Sequence, residues 1–400
     1  MNCSNACRFA VVASHPIQYF TPLYQRLARQ SGIDLEVLFC RDYGVRERFD
    51  KQFNQTVTWD TDLLSGYKHR FLRSVSPIRD TFNPLHAINP GVFTRLLGGY
   101  DAVWVNGYLY PSNWLAAAAA ALRNTRFLVR SELRLMNRTR RWFDPLRERV
   151  IRSWIRHADS LLYIGEANRE AYLYYGARES QLHFVPYAAD VDALQRARER
   201  VSHNRSESRR AWGLPADRAI VLFVGKLFEK KQPAAMVHLA SRPELASRVH
   251  VVIAGSGPQE SQLLDECRRL GLSNITWLGF VNQSRLPELY ALADIYVIPS
   301  LWETWGLVLN EAMAVGAAPV ACEDVSAARD LIHDGETGFT FAPRDWDGLA
   351  RHVARLVDDP KLRARIGQAA YDRSARYNYD VAVQGIVGAL SSLGLRPAAA

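Results

Sequence analysis

Ile298-Pro-Ser-Leu-Trp-Glu303-Thr-Trp-Gly306-Leu-Val-Leu-Asn-Glu311-Ala-Met-Ala is the stretch on which the reading of this chain turns. An apolar run, Ile295–Ile298, ends at a proline and is followed by a polar loop. From Gly306 the residues read as a helix to Val315, so the whole is strand, loop, helix. Glu303 falls in the loop and Glu311 inside the helix. The amides of Thr304, Trp305 and Gly306 open the helix, where N–H groups have no partner within it. Carboxylates and free amides together suit a polyol, whose hydroxyls need acceptors and donors. Taken singly, Glu303 also reads as a helix-entry residue favoured by the dipole, and Glu311 as a surface residue.

Outward from that stretch the same alternation repeats. The second half has strands at Ile220–Val224, Val249–Ala254, Ile275–Leu278 and Ala318–Ala321. The first half has them at Arg8–Ala13, Leu35–Cys40, Ala102–Asn106, Phe127–Arg130, Ser160–Ile164 and Leu182–Pro186. Several are nearly continuous apolar runs, as strands buried on both faces of a parallel sheet require. Helical patterns such as Thr21–Gln30, Pro111–Arg123, Arg141–His157, Pro258–Leu270 and Ser284–Leu292 lie between them, and the chain ends in helices. The 400 residues exceed what one core holds. The polar stretch from Asp192 to Arg218 reads as the end of one domain and the entry to the next. The expected architecture is α/β, with two parallel-sheet domains at residues 1–205 and 206–377 facing a cleft. A last helix, at about 378–394, packs back on the first domain. Ligands of such folds sit at the carboxyl ends of the strands.

Two more loops at strand ends carry chemistry. Gly225-Lys-Leu-Phe-Glu-Lys-Lys231 holds Lys226, Lys230 and Lys231, three of the six lysines in an arginine-rich chain. An ammonium is a compact charge suited to a diphosphate; a solvated basic loop is the other reading. Ala254-Gly255-Ser-Gly-Pro258 is a glycine turn before a helix, which can cradle a phosphate or simply turn tightly. It lacks the third glycine of the dinucleotide fingerprint.

Glu303, seven residues, then Glu311, with Trp305-Gly306 between, resembles the signature of the retaining glycosyltransferases of family 4, which have the GT-B fold of two Rossmann-like domains. Gly225-Lys226-Leu227 through Lys231 resembles that family's donor-phosphate loop, and Ala254 to Pro258 its next loop. Leu278-Gly-Phe-Val281 resembles the segment against the nucleobase. The resemblance covers about residues 219–345. It implies that Lys226 and Lys231 hold the donor diphosphate, and that Gly225 and Gly255 let the backbone approach it. Glu311 accepts from the ribose, Glu303 with the Thr304–Gly306 amides holds sugar hydroxyls, and the backbone at Phe280 and Val281 receives the base. It further implies transfer with retention, a nucleotide sugar as cosubstrate, no metal and no other cofactor. The first half resembles the family less. His15, after the first strand, reads as a contact to phosphate or acceptor, or as a cap on the turn. Arg130-Ser131-Glu132 stands where many members have a histidine, and Glu132 reads as an acceptor contact.

The net charge of +9 admits anionic ligands, an anionic membrane surface or nucleic acid. No zinc-finger spacing, basic zipper or aromatic single-strand platform is present, which disfavours nucleic acid. In the basic segment Arg141–His157, Phe143, Leu146, Val150 and Trp154 form an apolar stripe flanked by arginines. It reads as a core-facing helix, or as one lying on a membrane beside a lipid-linked acceptor. The scattered cysteines Cys3, Cys7, Cys40, Cys267 and Cys322 point to free thiols in a reducing cytosol. The expected protein is cytoplasmic, and works in polysaccharide, lipopolysaccharide or glycolipid synthesis. The alternatives are a GT-B epimerase, or a non-catalytic scaffold that binds the nucleotide sugar.

Overall fold

The structure, a computed structural model, describes residues 6–78, 83–135 and 144–395. In chain order the strands are β1 (Cys7–Ala13), β2 (Ile33–Phe39), β3 (Arg48–Asp50), β4 (Gln55–Val57), β5 (Lys68–Phe71), β6 (Ala102–Asn106), β7 (Arg126–Arg130), β8 (Ser160–Tyr163), β9 (Leu182–Phe184), β10 (Ala219–Val224), β11 (Val249–Ala254), β12 (Ile275–Gly279), β13 (Ile295–Ile298), β14 (Ala318–Cys322) and β15 (Phe339–Phe341). The chain divides into two compact units. The first holds the described residues of Met1–Arg46, Asp62–Tyr187 and Tyr379–Ala400; the second holds Glu47–Thr61 and Ala188–Asn378.

In the first unit a parallel sheet runs β5-β2-β1-β6-β7-β8-β9. Phe9, Ala10 and Val11 of β1 and Val103, Trp104 and Val105 of β6 are wholly buried, because helices cover both faces of these central strands. The helix Asp144–His157 is one of those covers. Its buried face is Ile151, Trp154 and Ile155, with Trp154 packed on Trp114 and Phe127 at ring separations of 4.5 and 5.3 Å. Burying an aromatic ring of this size contributes about 3 kcal/mol. Of the stripe expected on this segment, then, Trp154 belongs to the core, Val150 is half-buried and Leu146 is exposed, while Phe143 lies outside the described residues. The helix Tyr379–Ser392 closes this unit. Tyr379 donates to the Tyr19 carbonyl at 3.2 Å, and Gly385 lies so close to β9 that a Cβ there would stand 2.0 Å from the Phe184 carbonyl oxygen.

In the second unit a parallel sheet runs β12-β11-β10-β13-β14-β15. The chain builds outward from β10 through β11 to β12, then returns to the other side of β10 with β13. Strand order therefore reverses at the β10/β13 boundary, the kind of position at which ligands of open parallel sheets bind. Residues 191–211, polar in sequence, form helices Val191–His203 and Arg205–Ala211. The second is tied to the sheet by Asp294, which accepts from Arg205 at 3.0 Å, Arg209 at 2.6 Å and the Ile220 amide at 2.7 Å. The antiparallel hairpin β3–β4 also belongs to this unit. All four described cysteines, Cys7, Cys40, Cys267 and Cys322, are buried thiols.

Candidate active site

The loops after β10, β11, β12 and β13 are joined by their own backbones. Gly225 N–H donates to Ala254 O at 3.0 Å, Leu227 N–H to Ser256 O at 2.9 Å, Gly255 N–H to Gly279 O at 2.7 Å and Leu301 N–H to Lys230 O at 2.9 Å. Gly255 has φ +157, and a Cβ on it would lie 1.8 Å from the Gly225 carbonyl oxygen; one on Gly257 would lie 2.5 Å from the Leu227 oxygen. Glycine is needed here so that two loops can stack backbone on backbone.

Across the β10/β13 boundary Lys231 meets Glu303. Lys231 Nζ lies 2.5 Å from Glu303 Oε1, and Lys230 Nζ lies 3.7 Å from Oε2. Glu303 is buried, so its charge is tolerated because two ammonium groups face it. Lys230 also sits 3.5 Å above the centre of the half-exposed Trp302 ring.

Gly306 caps the helix Leu307–Ala314 in the left-handed region, at φ 105 and ψ 57. A Cβ there would come within 2.9 Å of Val325. Thr304 stays half-buried beside it. The Trp305 side chain turns inward: it is buried, and its Nε1–H donates to Asn310 Oδ1 at 2.9 Å. What Trp305 offers a ligand is its main chain. One turn into the helix, Glu311 accepts from Tyr290 Oη at 2.8 Å. Burial of its carboxyl pushes the pKa up to about 7, and the Tyr290 hydrogen bond offsets part of the rise.

Lys226 has partners that the sequence did not indicate. Its Nζ donates to Asp50 Oδ2 at 3.1 Å and to Gln52 Oε1 at 2.8 Å, and lies 4.5 Å from the centre of the Phe53 ring. Burial lowers its pKa, Asp50 opposes that, and Lys231 adds to it. Phe280 and Val281 follow β12, both half-buried. The Phe280 ring is bracketed by Phe53 at 5.0 Å and Trp59 at 5.9 Å.

In the first unit His15 follows β1 and Glu132 follows β7, with β6 between those strands. His15 Nδ1 lies 3.0 Å from Ser14 Oγ, and its ring meets Tyr43 edge-on. Glu132 is exposed and takes a short hydrogen bond from Tyr187 Oη. Beside them Arg130 is buried between the rings of Phe20 and Tyr187, at 4.9 and 4.3 Å. Among the described residues no group of three or more His, Cys, Asp or Glu is placed to hold a metal ion.

This geometry can be set beside known proteins. Residues 204–373 match the family model described as glycosyl transferases group 1, and residues 16–188 match the glycosyl transferase 4-like domain. An alpha-D-kanosaminyltransferase of Streptomyces kanamyceticus is 30% identical over 285 residues, which are 68% of this chain and 70% of that one. The chain belongs to the group 1, 4-like glycosyltransferases. A second relative, D-inositol 3-phosphate glycosyltransferase 2 of Catenulispora acidiphila, is 33% identical over 217 residues, about half of either chain (51% and 49%). The solved structure of HepE from Anabaena, in complex with UDP, superposes with a TM-score of 0.72 at 19% identity, over 96% of this chain and 99% of that one. That likeness shows the GT-B fold, so this glycosyltransferase has the two parallel α/β units that its sequence predicts.

Proposed function

We propose that this glycosyltransferase moves a hexosyl group from a nucleoside-diphosphate donor to a hydroxyl of a sugar or lipid-linked acceptor, with retention at the anomeric carbon and no bound metal or other cofactor. The observation that carries the reading is the meeting of Lys231 and Glu303 across the β10/β13 boundary, with Glu311 one turn into the helix that Gly306 opens. In the reaction the bond between the anomeric carbon and the diphosphate oxygen breaks as the acceptor oxygen bonds to that carbon, and the acceptor's proton passes to the departing diphosphate. Negative charge builds on the departing diphosphate. Lys226, Lys231 and the amides at the start of Leu307–Ala314 stabilise it from positions set before the reaction. Glu303 and the amides of Thr304, Trp305 and Gly306 hold the sugar hydroxyls, and Glu311 accepts from the ribose. Gly225 and Gly255 bring the loop backbones up to the phosphates, and the main chain at Phe280 and Val281 takes the base. His15 and Glu132 contact the acceptor.

HepE was solved with UDP, which makes UDP the first nucleotide to try. We place the reaction in the building of a polysaccharide, lipopolysaccharide or glycolipid, at the cytoplasmic face of a membrane. The basic helix Asp144–His157 supports peripheral contact through exposed Leu146 and its arginines; Trp154 takes no part. No described helix is long and apolar enough to cross a membrane. The test is turnover of UDP-sugars with simple sugar acceptors, the product's anomeric configuration being read by proton NMR. The same configuration as the donor is expected. An inverted product refutes retention, and tight nucleotide binding without turnover across donors and acceptors favours the scaffold.

A further inference from the structure

The hairpin β3–β4 and the residues after it, 47–61, pack as part of the second unit, against the three loops assigned above to the donor. At the first loop, Asp50 and Gln52 turn their oxygens to Lys226 Nζ and Phe53 lays its ring over it. At the second, Ser256 Oγ donates to the Phe53 carbonyl at 3.0 Å. At the third, Phe53 and Trp59 bracket Phe280. Beyond it Asn282 donates to the Thr58 carbonyl at 2.8 Å, and Ser284 Oγ donates to Asp60 at 2.5 Å. Each of these contacts falls on a residue of, or next to, the donor loops. A carboxylate 3.1 Å from Lys226 fills the place a phosphate oxygen needs, and a second anion brought there meets like charge.

We propose that Asp50 is a further residue of the donor site, an internal counter-ion that the donor's diphosphate must displace from Lys226, so that residues 47–61 set the affinity for donor. The inference rests on the donor reading of Lys226. Asp50 is suited to such an exchange. Its other oxygen, Oδ1, accepts the Gln52 and Phe53 amides at 2.7 and 3.2 Å, which holds the turn whether or not Oδ2 faces a lysine. The Lys226–Asp50 pair is a quarter to a third exposed, so its strength is modest and a diphosphate, with more charge, outcompetes it.

The test uses the whole chain and UDP. Asp50→Asn keeps the acceptor that holds the turn and removes the charge. It is expected to bind UDP about two- to fivefold more tightly than wild type, the range a partly exposed pair supplies. Lys226→Ala abolishes that gain, so the double variant binds like Lys226→Ala alone. Phe53→Ala, which removes the ring over Lys226, is the second variant, and it too tightens binding. Endoproteinase Lys-C supplies an independent reading, because the chain has six lysines and Lys51 stands exposed at the hairpin turn. UDP is expected to speed cleavage at Lys51. The inference is overturned if UDP binds wild type while both variants bind it equally or more weakly, or if UDP protects Lys51. If neither wild type nor variants bind UDP, GDP, ADP or dTDP, the donor reading itself falls and takes the inference with it.

Discussion

Replacing Glu311 by glutamine is expected to make the protein more stable and worse at holding nucleotide. The carboxyl is enclosed by the helix Leu307–Ala314 and by Tyr290, and its pKa stands at about 7 where 4.5 is ordinary. At 1.36 kcal/mol for each tenfold change in proton affinity, that rise amounts to about 3 kcal/mol. The sign follows from proton counting. Between pH 4.5 and about 7 the folded state holds a proton that the unfolded state has released. Stability therefore falls as pH rises through this window and is level above it. Glutamine keeps an acceptor for Tyr290 Oη and has no charge to bury. Urea denaturation, followed by circular dichroism, should show Glu311→Gln with a higher midpoint than wild type at pH 8 and little difference at pH 4.5. The gain at pH 8 is up to about 3 kcal/mol. The nucleotide responds in the opposite sense. Ribose hydroxyls donate better to a carboxylate than to an amide, so wild-type affinity for UDP should rise between pH 6 and 8 relative to that of Glu311→Gln. Taking the ratio of the two proteins cancels the titration of UDP itself. A variant no more stable than wild type at pH 8 would refute the account of burial. A more stable variant with undiminished UDP affinity would refute the ribose contact.

Two structural predictions accompany it. Gly255→Ala drives a Cβ into the Gly225 carbonyl at 1.8 Å, where only backbone could yield. It should cost more than about 4 kcal/mol or prevent folding, whereas Gly213→Ala, at φ +68 with nothing within 4 Å, should cost about 1–2 kcal/mol. Thermal melting of the two variants separates these outcomes. Asp294→Ala strips the counter-charge from buried Arg209 and from Arg205, and takes the acceptor from the Ile220 amide. A loss of about 3–5 kcal/mol is expected, little changed between low and high salt because the pair is shielded from solvent ions; a small or strongly salt-dependent loss would show that these arginines find water instead.

Most strands of both sheets were legible because a parallel strand covered on both faces must be apolar throughout; β5, whose residues are all exposed, and the three-residue β15 were not expected. Ala102–Asn106, Val249–Ala254 and Ile295–Ile298 fall where the apolar runs fall. Helix ends moved by a residue or two, as at Leu307–Ala314, because caps are decided by local geometry such as the left-handed Gly306. The second helix of the polar stretch after Asp192 is held by Asp294, which binds Arg205 and Arg209, a pairing about ninety residues long that no local pattern announces. The stripe on Asp144–His157 failed in detail for a related reason: an amphipathic pattern shows that a face is apolar, not what covers it, and at Trp154 the cover is Trp114 and Phe127.

The site divides along the same line. Lys226, Lys231, Glu303 and Glu311 stood out because charged residues at the ends of apolar strands are unusual and their spacing is informative. Asp50, Gln52 and Phe53 did not, since they lie in a polar segment without periodicity, some 175 residues from the lysine they touch. Gly255 is the instructive case. A glycine turn after a strand signals close backbone approach, and sequence cannot say whether a phosphate or another loop makes the approach. Here the Gly225 carbonyl occupies the space a Cβ would need, so Gly255 is already required before any donor arrives. Its amide, moreover, is donated to Gly279. A phosphate role for Gly255 would therefore operate through the loop after β10, against which it packs, and a substitution there should lose fold and donor affinity together, while one at Lys226, whose partner Asp50 is partly exposed, should lose affinity with little cost to the fold.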